Sequence, residues 1–405
     1  MNSEIGLLKI NFMIRCCIIF LVLLVSFFSI IGCSTGWEDT ISRQARRAGS
    51  IPGIDSVVTR VMKKYDIPGI SFAIAKNDSL LYEKGYGYAD IPSKTEVTTN
   101  SLFRIGYLSE PITAMAILKL IQEGKISMDE KVFGDSGILG TDFCKQPRDG
   151  LVKNITVEEL LQHTTGWQFD DNILSLNHSL PSANYLGWIL QTFPLEAIPG
   201  KSFHRSFINY LVLGKIIEKI TGESYPKFVQ TSILQPIGIA DMQIAGTNKQ
   251  DRIKNEVTHY VWTLWNHDYD EEPYEINISR MGEAAGWLGS ARDLIKFMVR
   301  ADGFKPAPDI LDSLFLKTMV NPSQANPHFA CGWWSNNNFE NWFVTGDLLG
   351  SVCEMARASN GYCWVILTNK SPTGPGYEDA LDRMVWEIIN DSAIQWPTGK
   401  SFDKL

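Results

Sequence analysis

The chain has 405 residues, of which 44% are hydrophobic and 20% charged, so it is long enough to bury a large core. Its 32 glycines and 18 prolines are close to ordinary usage, which excludes collagen-like, coiled-coil and wholly disordered classes. The net charge of -8, with no basic run, excludes nucleic acid as the main partner.

The first segment of the chain has the features of an export signal. Lys9 and Arg15 precede an apolar run over residues 16–31, which is interrupted only by serines. A charged start followed by a short apolar run is typical of a secretory signal peptide, and the run is shorter than the roughly 20 residues of a membrane span. The run ends in Gly32 and Cys33, similar to the lipobox of bacterial lipoproteins.

This resemblance implies a lipid-anchored protein. We expect residues 1–32 to be removed as a lipoprotein signal peptide, Cys33 to carry the lipid and residues 33–50 to act as a tether. The protein would then be exported and held in the bacterial cell envelope, at the inner or the outer membrane. The alternatives are an uncleaved signal anchor and a plain signal peptide in which Cys33 is incidental.

Hydrophobic spacing predicts the elements that follow. A helix over 54–65 leads into strands over 70–75 and 80–88, and a second helix covers 109–123. The part between about 127 and 320 is predicted to be mostly helical. Strands return over 329–334, 342–345, 352–357 and 362–368, and a helix over 377–389 closes the domain.

This order of elements predicts an α/β fold. We expect an antiparallel β-sheet flanked by N- and C-terminal helices, with an all-helical lobe inserted within about 127–320. The folded domain would span residues 51–392, and residues 393–405 would form a tail.

The cysteines of the mature chain are few. Cys353 and Cys363 lie in neighbouring apolar runs that predict a hairpin, so a bridge between them is one interpretation and buried free thiols are the other. The remaining cysteines and the histidines lack metal-ligand spacing, and we therefore predict no metal site and no cofactor.

Several short sequence motifs occur one after another along the domain. They are FRIG at 103–106, PITA at 111–114, HTTG at 163–166, AGWL at 285–288 and LTN at 367–369. In this order they resemble the serine β-lactamase and penicillin-binding-protein superfamily, in its class C, D-aminopeptidase and esterase branch. The resemblance implies a β-lactamase/transpeptidase-like fold and serine hydrolase chemistry.

The first catalytic motif of that family is altered here. A serine at a helix amino terminus is activated by a lysine three residues later, one helical turn away on the same face. The corresponding positions hold Tyr107 and Glu110. The chain therefore lacks both the nucleophile and its base at this motif.

The other two motifs are altered as well. The second motif usually offers a tyrosine and an asparagine, and these positions hold Arg205 and Phe207 with Ser206 between them. The third motif, a basic residue followed by Thr-Gly, reads Val344-Thr345-Gly346. Ser206, Thr345 and Gly346 are therefore the expected lining of the old pocket, which we predict to be narrower and more apolar than in active relatives.

Because every proton-moving side chain is replaced, we predict a binding or regulatory pseudoenzyme. Its partner would be a cell-wall fragment, a peptide or an envelope protein. The alternative is an active serine hydrolase, of β-lactamase, esterase or D-peptidase type, with a relocated nucleophile. A third interpretation uses Tyr107 as a sialidase-like nucleophile with Glu110 as its base, but the clustered arginines of such sites are missing.

Other serines and aromatics are weaker candidates. Ser109 is expected to cap the second helix. The S-x-x-K matches at 224–227 and 401–404 fit chance occurrence in a chain of this size. The tryptophans at 262, 265, 333 and 334 would stack on a sugar or peptide, or simply be buried.

Glu110 and Arg205 yield the most specific expectation. A buried carboxylate needs a partner, and a guanidinium at the facing position offers a planar fork for two hydrogen bonds. We therefore expect the two side chains to lie within about 4 Å of each other, the usual limit of an ion pair. The alternative is that Arg205 turns outward and His204 faces Glu110.

Overall fold

The computed structural model describes residues 50–168, 180, 182–262, 269–270, 277–305, 307–336, 340–371 and 374–402. The chain divides into a leading segment, Met1–Pro52, and one unit, Gly53–Leu405. The predicted signal peptide, Cys33 and nearly all of the tether lie outside the described residues. Among the helices that are described, none combines the length and the apolar character needed to cross a membrane.

The described helices agree with the hydrophobic periodicity. In the first helix, Ile54, Val57, Val58 and Val61 form the buried stripe, and basic residues occupy the last turn. The helices are α1 Pro52–Tyr65, α2 Ser109–Gln122, α3 Val157–Leu161, α4 Ser182–Thr192, α5 Phe207–Thr221, α6 Tyr225–Val229, α7 Gly282–Ala285, α8 Ala291–Met298, α9 Ser313–Met319 and α10 Tyr377–Asn390.

The strands come mainly from the two ends of the domain. They are β1 Gly69–Lys76, β2 Ser79–Asp90, β3 Thr95–Glu96, β4 Phe103–Arg104, β5 Gln243–Ile244, β6 Val261–Trp262, β7 Tyr269–Asp270, β8 Trp287–Gly289, β9 Trp334–Asn336, β10 Asn341–Leu348, β11 Ser351–Arg357, β12 Tyr362–Thr368 and β13 Lys400–Ser401.

The main sheet is antiparallel and has the order β13-β2-β1-β12-β11-β10-β9, with β3 paired to β2. Its centre joins the amino-terminal hairpin to the carboxy-terminal strands, since Ile70 pairs with both Tyr86 and Thr368. The predicted α/β fold with its antiparallel sheet and inserted helices is confirmed. Two small sheets, β4-β8-β5 and β6-β7, accompany the inserted helices.

The two faces of the sheet pack against different layers. Val344, Met355 and Val365 alternate onto the face that joins the main core with the inserted helices. The intervening residues, among them Glu354 and Trp364, occupy the opposite face, which α10 partly covers. This separation decides which residues of the third motif face the inserted helices.

The proposed bridge between Cys353 and Cys363 is wrong. The register places Cys353 opposite Leu367 and Cys363 opposite Arg357, so the two side chains never face each other. Both are buried free thiols, as the alternative interpretation expected.

The strand predicted over 329–334 is mostly a turn. Only Trp334 belongs to a strand, and Ala330 donates its N–H to the carbonyl of Trp333 across 2.9 Å. Gly332 has a φ of +80°, and a Cβ there would lie 2.9 Å from the nitrogen of Pro111. The chain therefore bends because its backbone comes close to α2, which periodicity alone does not reveal.

Candidate functional site

Strand β10 passes close to the turn that carries the first motif, and this contact fixes the position of Tyr107. A 3₁₀ turn, Gly106–Leu108, precedes α2 and holds Tyr107 at the helix entrance. Gly106 has a φ of +54°, and a Cβ on it would lie 2.9 Å from the carbonyl oxygen of Asp347. A Cβ on Gly346 would lie 2.4 Å from the oxygen of Ile105. Glycine at both positions lets β10 pass directly against the turn.

Glu110 and Arg205 form the expected ion pair. Arg205 donates Nε and Nη2 to the same carboxylate oxygen, Oε2 of Glu110, at 3.0 and 2.7 Å. The Glu110 side chain is fully buried, and the Arg205 side chain retains 18% exposure. Arg205 is therefore the residue that turns inward to the carboxylate, as the motif alignment predicted.

His163 is a third member of this cluster. Its Nε2 lies 3.2 Å from the other Glu110 oxygen, Oε1. Its Nδ1 accepts the side-chain amide N–H of Asn209 at 2.9 Å and the backbone N–H of Ser206 at 3.4 Å. Because Nδ1 is an acceptor in both contacts, the proton of a neutral imidazole lies on Nε2 and points at Glu110.

Charge pairing outweighs burial in this cluster. Burial alone would raise the pKa of Glu110, but Arg205 and His163 hold it below its ordinary value. Burial would likewise lower the pKa of the Arg205 guanidinium, yet the Glu110 carboxylate raises it. Both groups remain charged, and three N–H donors occupy the carboxylate.

Tyr107 lies against the guanidinium rather than in an empty cleft. The Cζ of Arg205 is 4.0 Å from the Tyr107 ring centroid and 6.0 Å from that of Phe329. The Phe329 ring also packs on Phe203 and His163, with centroids 5.2 Å apart in both cases. The side chain at the former nucleophile position thus contributes an aromatic face to the ion pair.

The other two altered motif positions, Phe207 and Val344, are occupied by core residues. Phe207 is the first residue of α5 and is 1% exposed, while Val344 of β10 is fully buried. Ser206 is also fully buried, and its Oγ has no hydrogen-bond partner among the described residues. These side chains support the fold around the cluster and do not reach solvent.

Thr345 was wrongly assigned to the old pocket. It pairs with Glu354 across β10 and β11, and side chains alternate along a strand, so it lies on the opposite face from Val344 and Gly346. There it lines a separate cavity with Glu354 and Trp364. Gly346 of the third motif lies against the turn that carries Tyr107.

Ser109 does not cap α2 as predicted. Leu108 occupies the cap position, and Ser109 is the first helical residue. Its fully buried Oγ donates to the Gly106 carbonyl at 2.8 Å and accepts the backbone N–H of Trp287 at 3.3 Å. The 3₁₀ turn before α2 explains the difference, because it already supplies the residue that precedes the helix.

The other candidate residues lie apart from this cluster. Ser224 is exposed at the start of α6, and the side chain of Lys227 is 63% exposed beside Glu223. Lys404 and the Trp262–Trp265 side chains are outside the described residues. Trp333 is fully buried and Trp334 packs on Phe329 at 5.0 Å, so these two tryptophans are packing residues. Within the described ranges, no acidic, histidine and cysteine side chains cluster as metal ligands.

Comparison with solved structures shows the same fold. A D-amino acid amidase from Ochrobactrum anthropi SV3 superimposes with a TM-score of 0.68 at 21% identity, covering 84% of this chain and 98% of that one. An octameric penicillin-binding protein homologue from Pyrococcus abyssi gives 0.66 at 21% identity, covering 83% and 77%.

Sequence comparison gives the family. Protein flp of Staphylococcus aureus is 28% identical over 337 residues, which cover 78% of this chain and 62% of that protein. A putative D-alanyl-D-alanine carboxypeptidase of Escherichia coli K12 is 25% identical over 67% of this chain and 69% of that protein. The family model described as Beta-lactamase matches residues 54–385. The chain therefore belongs to the β-lactamase family.

Proposed function

We propose that this chain is a non-catalytic member of the β-lactamase family that acts as a membrane-tethered binding or regulatory protein. The observation that carries the proposal is the closed cluster of Glu110, Arg205 and His163 at the positions where the family transfers a proton. An ion pair holds α2 against the segment that precedes α5 and carries Arg205, at the positions where active relatives have a lysine and a tyrosine.

Acyl transfer needs a nucleophile and a base with a free lone pair. Both Glu110 oxygens already accept hydrogen bonds, and its lowered pKa makes it a weak base. The Tyr107 ring lies under the Arg205 guanidinium. These contacts oppose the sialidase-like interpretation, because Glu110 is not available as a base for Tyr107. They also oppose a serine hydrolase at this motif, because its two positions hold neither a serine nor a free base.

The alternative of a relocated nucleophile has one candidate close to the cluster. Ser206, His163 and Glu110 are neighbours in the order of a Ser-His-Glu triad. However, the His163 nitrogen nearest Ser206 accepts N–H groups from Asn209 and from the Ser206 backbone, and Ser206 is fully buried. A substrate carbonyl has no route to this hydroxyl without local opening.

The names of the relatives indicate what kind of molecule the old cleft would hold. They include an amidase of D-amino acids and a putative D-alanyl-D-alanine carboxypeptidase. We propose a cell-wall fragment or peptide as the ligand, with an envelope protein as the other candidate partner. Burial of Phe207 and Val344 supports a smaller and less polar cleft than a bulky acyl-amide needs.

Covalent labelling tests the loss of catalysis. The purified protein is incubated with a fluorophosphonate, a fluorescent penicillin and nitrocefin, and the intact mass and the absorbance are followed. The amidase from Ochrobactrum anthropi SV3, assayed on a D-amino acid amide, serves as a positive control for handling. We expect no adduct and no turnover, and no change in Tyr107→Phe. An adduct on any residue would overturn the proposal, and turnover that survives Tyr107→Phe would point to a relocated nucleophile.

Fractionation tests the tether separately. The wild type should remain with membranes after a high-salt wash, and Cys33→Ala should move to the soluble fraction because its acylation site is gone. Cys144→Ala, which removes a thiol from the folded domain, is the matched control and should behave like the wild type. If Cys33→Ala still pellets with membranes, the protein is not held by that lipid.

A further inference from the structure

A second cavity lies on the opposite face of the sheet from the Glu110 cluster. Its volume is about 350 Å³, and it lies between strands β10–β12 and helix α10. Trp364 of the sheet and Trp386 of α10 contribute indole rings to its walls, whereas Trp342 alternates onto the same face as Val344. A volume of this order is at the small end of the range for ligand sites in proteins.

Four carboxyl groups and one basic side chain line this cavity. Glu354 lies in its sheet wall, and Glu378, Asp379 and Asp382 line it from α10. Arg357 is the basic residue among the lining side chains, but it directs its Nε to the backbone oxygen of Asp302 at 3.1 Å. Its guanidinium also stacks 3.9 Å from the Phe304 ring centroid. Arg357 therefore interacts with the loop that contains Asp302 and Phe304.

Two indole N–H groups orient two of these carboxylates. Trp364 Nε1 donates to Glu354 Oε1 at 2.6 Å, and Trp386 Nε1 donates to Asp382 Oδ1 at 3.0 Å. The two indole rings meet edge to face, with centroids 5.3 Å apart at 78°. The result is a corner in which aromatic walls and oriented carboxylates face the same space.

Glu354 has no cationic partner among the residues that the structure describes. The residue is 4% exposed, and within the same residues its side chain accepts one hydrogen bond, from Trp364. Burial, together with the nearby charge of Asp382, raises the pKa of Glu354 to about 8, even though the Trp364 hydrogen bond lowers it. A carboxylate kept this dry normally has a cation or several donors beside it. The second carboxylate oxygen of Glu354, Oε2, is therefore available to a ligand in the cavity.

We propose that this cavity is a binding site for an organic ammonium ion. The cationic head would lie against Glu354 and Asp382, and its alkyl or aryl substituents would contact the indole faces. A metal ion fits less well, because the described residues contain no suitable group of ligands and the walls are aromatic. The site is independent of the Glu110 cluster and does not rest on the proposed loss of catalysis.

Proton linkage follows from the same geometry. A bound cation favours the ionised form of Glu354, so binding below about pH 8 must release a proton. The pKa values of Glu378 and Asp382 on α10 are also raised by burial, and Asp379 is the remaining carboxylate on that wall. Affinity should therefore increase between pH 6 and pH 8, with the guanidinium of Arg357 charged throughout.

Calorimetric titration of the purified full-length protein tests the proposal. The probes are tetramethylammonium and benzylammonium, and benzyl alcohol is the neutral counterpart. We expect saturable binding of at least one cation, no binding of benzyl alcohol, and about tenfold weaker binding in Glu354→Gln, a loss equivalent to about 1.4 kcal/mol. Tetramethylammonium and benzylammonium together distinguish a preference for quaternary from primary ammonium groups.

Matched variants keep the result interpretable. Glu387→Gln lies on the same helix but pairs with Arg60 outside the cavity, so it should bind like the wild type. Asp382→Asn changes a half-buried cavity carboxylate and should also weaken binding, which provides a second test if Glu354→Gln melts at a lower temperature. The proposal is overturned if neither cation binds, if benzyl alcohol binds equally, or if both cavity variants retain wild-type affinity.

Discussion

Glu110 and Glu354 are both almost completely buried, yet their surroundings give them opposite properties. Three N–H donors from Arg205 and His163 surround Glu110, and they lower its pKa. Glu354 has one indole N–H and a neighbouring carboxylate, and its pKa rises to about 8. Burial sets the cost of a charge, but the donors around it decide whether the charge is kept.

The same contrast separates a closed site from an open one. Both oxygens of the fully buried Glu110 carboxylate accept hydrogen bonds, and the guanidinium beside it stacks on the Tyr107 ring. Glu354 faces a cavity of about 350 Å³. The Glu110 side of the sheet is therefore closed by an ion pair, while the opposite face has a buried carboxyl group beside a cavity.

Removing the partner of Glu110 should have the largest effect on stability. Arg205→Met removes the cationic partner of the buried Glu110 carboxylate and leaves it the hydrogen bond from His163, so we expect a loss of about 3 to 5 kcal/mol. The double variant Glu110→Gln/Arg205→Met should recover part of that loss, because the charge is gone. Thermal and urea unfolding measure both.

An exposed pair provides the control for that experiment. Arg60 and Glu387 are 58% and 49% exposed, so Arg60→Met should cost at most about 1 kcal/mol. A similar cost for Arg205→Met would show that the Glu110 pair is not a structural strut.

The pH dependence of stability should distinguish the two carboxylates. For Glu354 the folded pKa is raised, so the unfolded state ionises first and its contribution is lost as pH increases from about 4.5 towards 8. For Glu110 the folded pKa is lowered, so its contribution is present above the ordinary glutamate pKa and is lost in acid. Between pH 5 and 8 only Glu354 of this pair produces a slope.

Replacing Glu354 with glutamine should remove that slope. The stability of the wild type relative to Glu354→Gln should fall by up to about 1.4 kcal/mol for each pH unit in the window. Chemical unfolding at a series of pH values gives the difference, and Glu387→Gln should run parallel to the wild type. Superimposable curves for wild type and Glu354→Gln would mean that the carboxylate is not desolvated.

The backbone crossing beside the Glu110 site should tolerate no side chain. Gly346→Ala places a Cβ 2.4 Å from the oxygen of Ile105 and 2.8 Å from Cδ1 of Leu108, so we expect a loss of about 1 to 3 kcal/mol. Gly150→Ala meets nothing within 4 Å and should change stability by less than about 0.5 kcal/mol. Equal melting temperatures for the two variants would contradict the close approach of β10 to the turn.

The smallest effect concerns the ring over the guanidinium. Tyr107→Leu removes the cation–π contact with Arg205 and should cost about 1 kcal/mol, whereas Tyr107→Phe keeps the ring and should be nearly neutral. Unfolding curves of both variants measure the difference. If Tyr107→Phe lost as much as Tyr107→Leu, the hydroxyl rather than the ring would be the stabilising group.

Much of the fold could be predicted from the sequence, because the hydrophobic periodicity and the family-like motifs indicate the same order of elements. The helices over 54–65 and 377–389 and the strand over 362–368 match α1, α10 and β12 to within about two residues. The Glu110–Arg205 pair was also predictable, since two charge changes at facing motif positions compensate each other. Local pattern and a resemblance to a known fold were sufficient for these.

Features that depend on register or on backbone approach were not predictable. The side of the sheet on which Thr345 lies follows from its pairing with Glu354, and the distance between Cys353 and Cys363 follows from the β11–β12 register. The sequence shows His163 only as part of the HTTG motif, whereas its contact with Glu110 arises from the tertiary fold. Only tertiary pairing reveals such contacts.

The position of β1 in the middle of the sheet also constrains how the chain can fold. Ile70 pairs with Thr368, so two strands about 300 residues apart must meet before the central strand has both neighbours. Long-range pairing of this kind slows folding, because the loop must close before its contacts form. Until the carboxy-terminal strands are synthesised, the apolar edge of β1 lacks its β12 partner. A ribosome-bound or truncated chain that ends before residue 362 would therefore hold an incomplete sheet and be prone to edge-to-edge association.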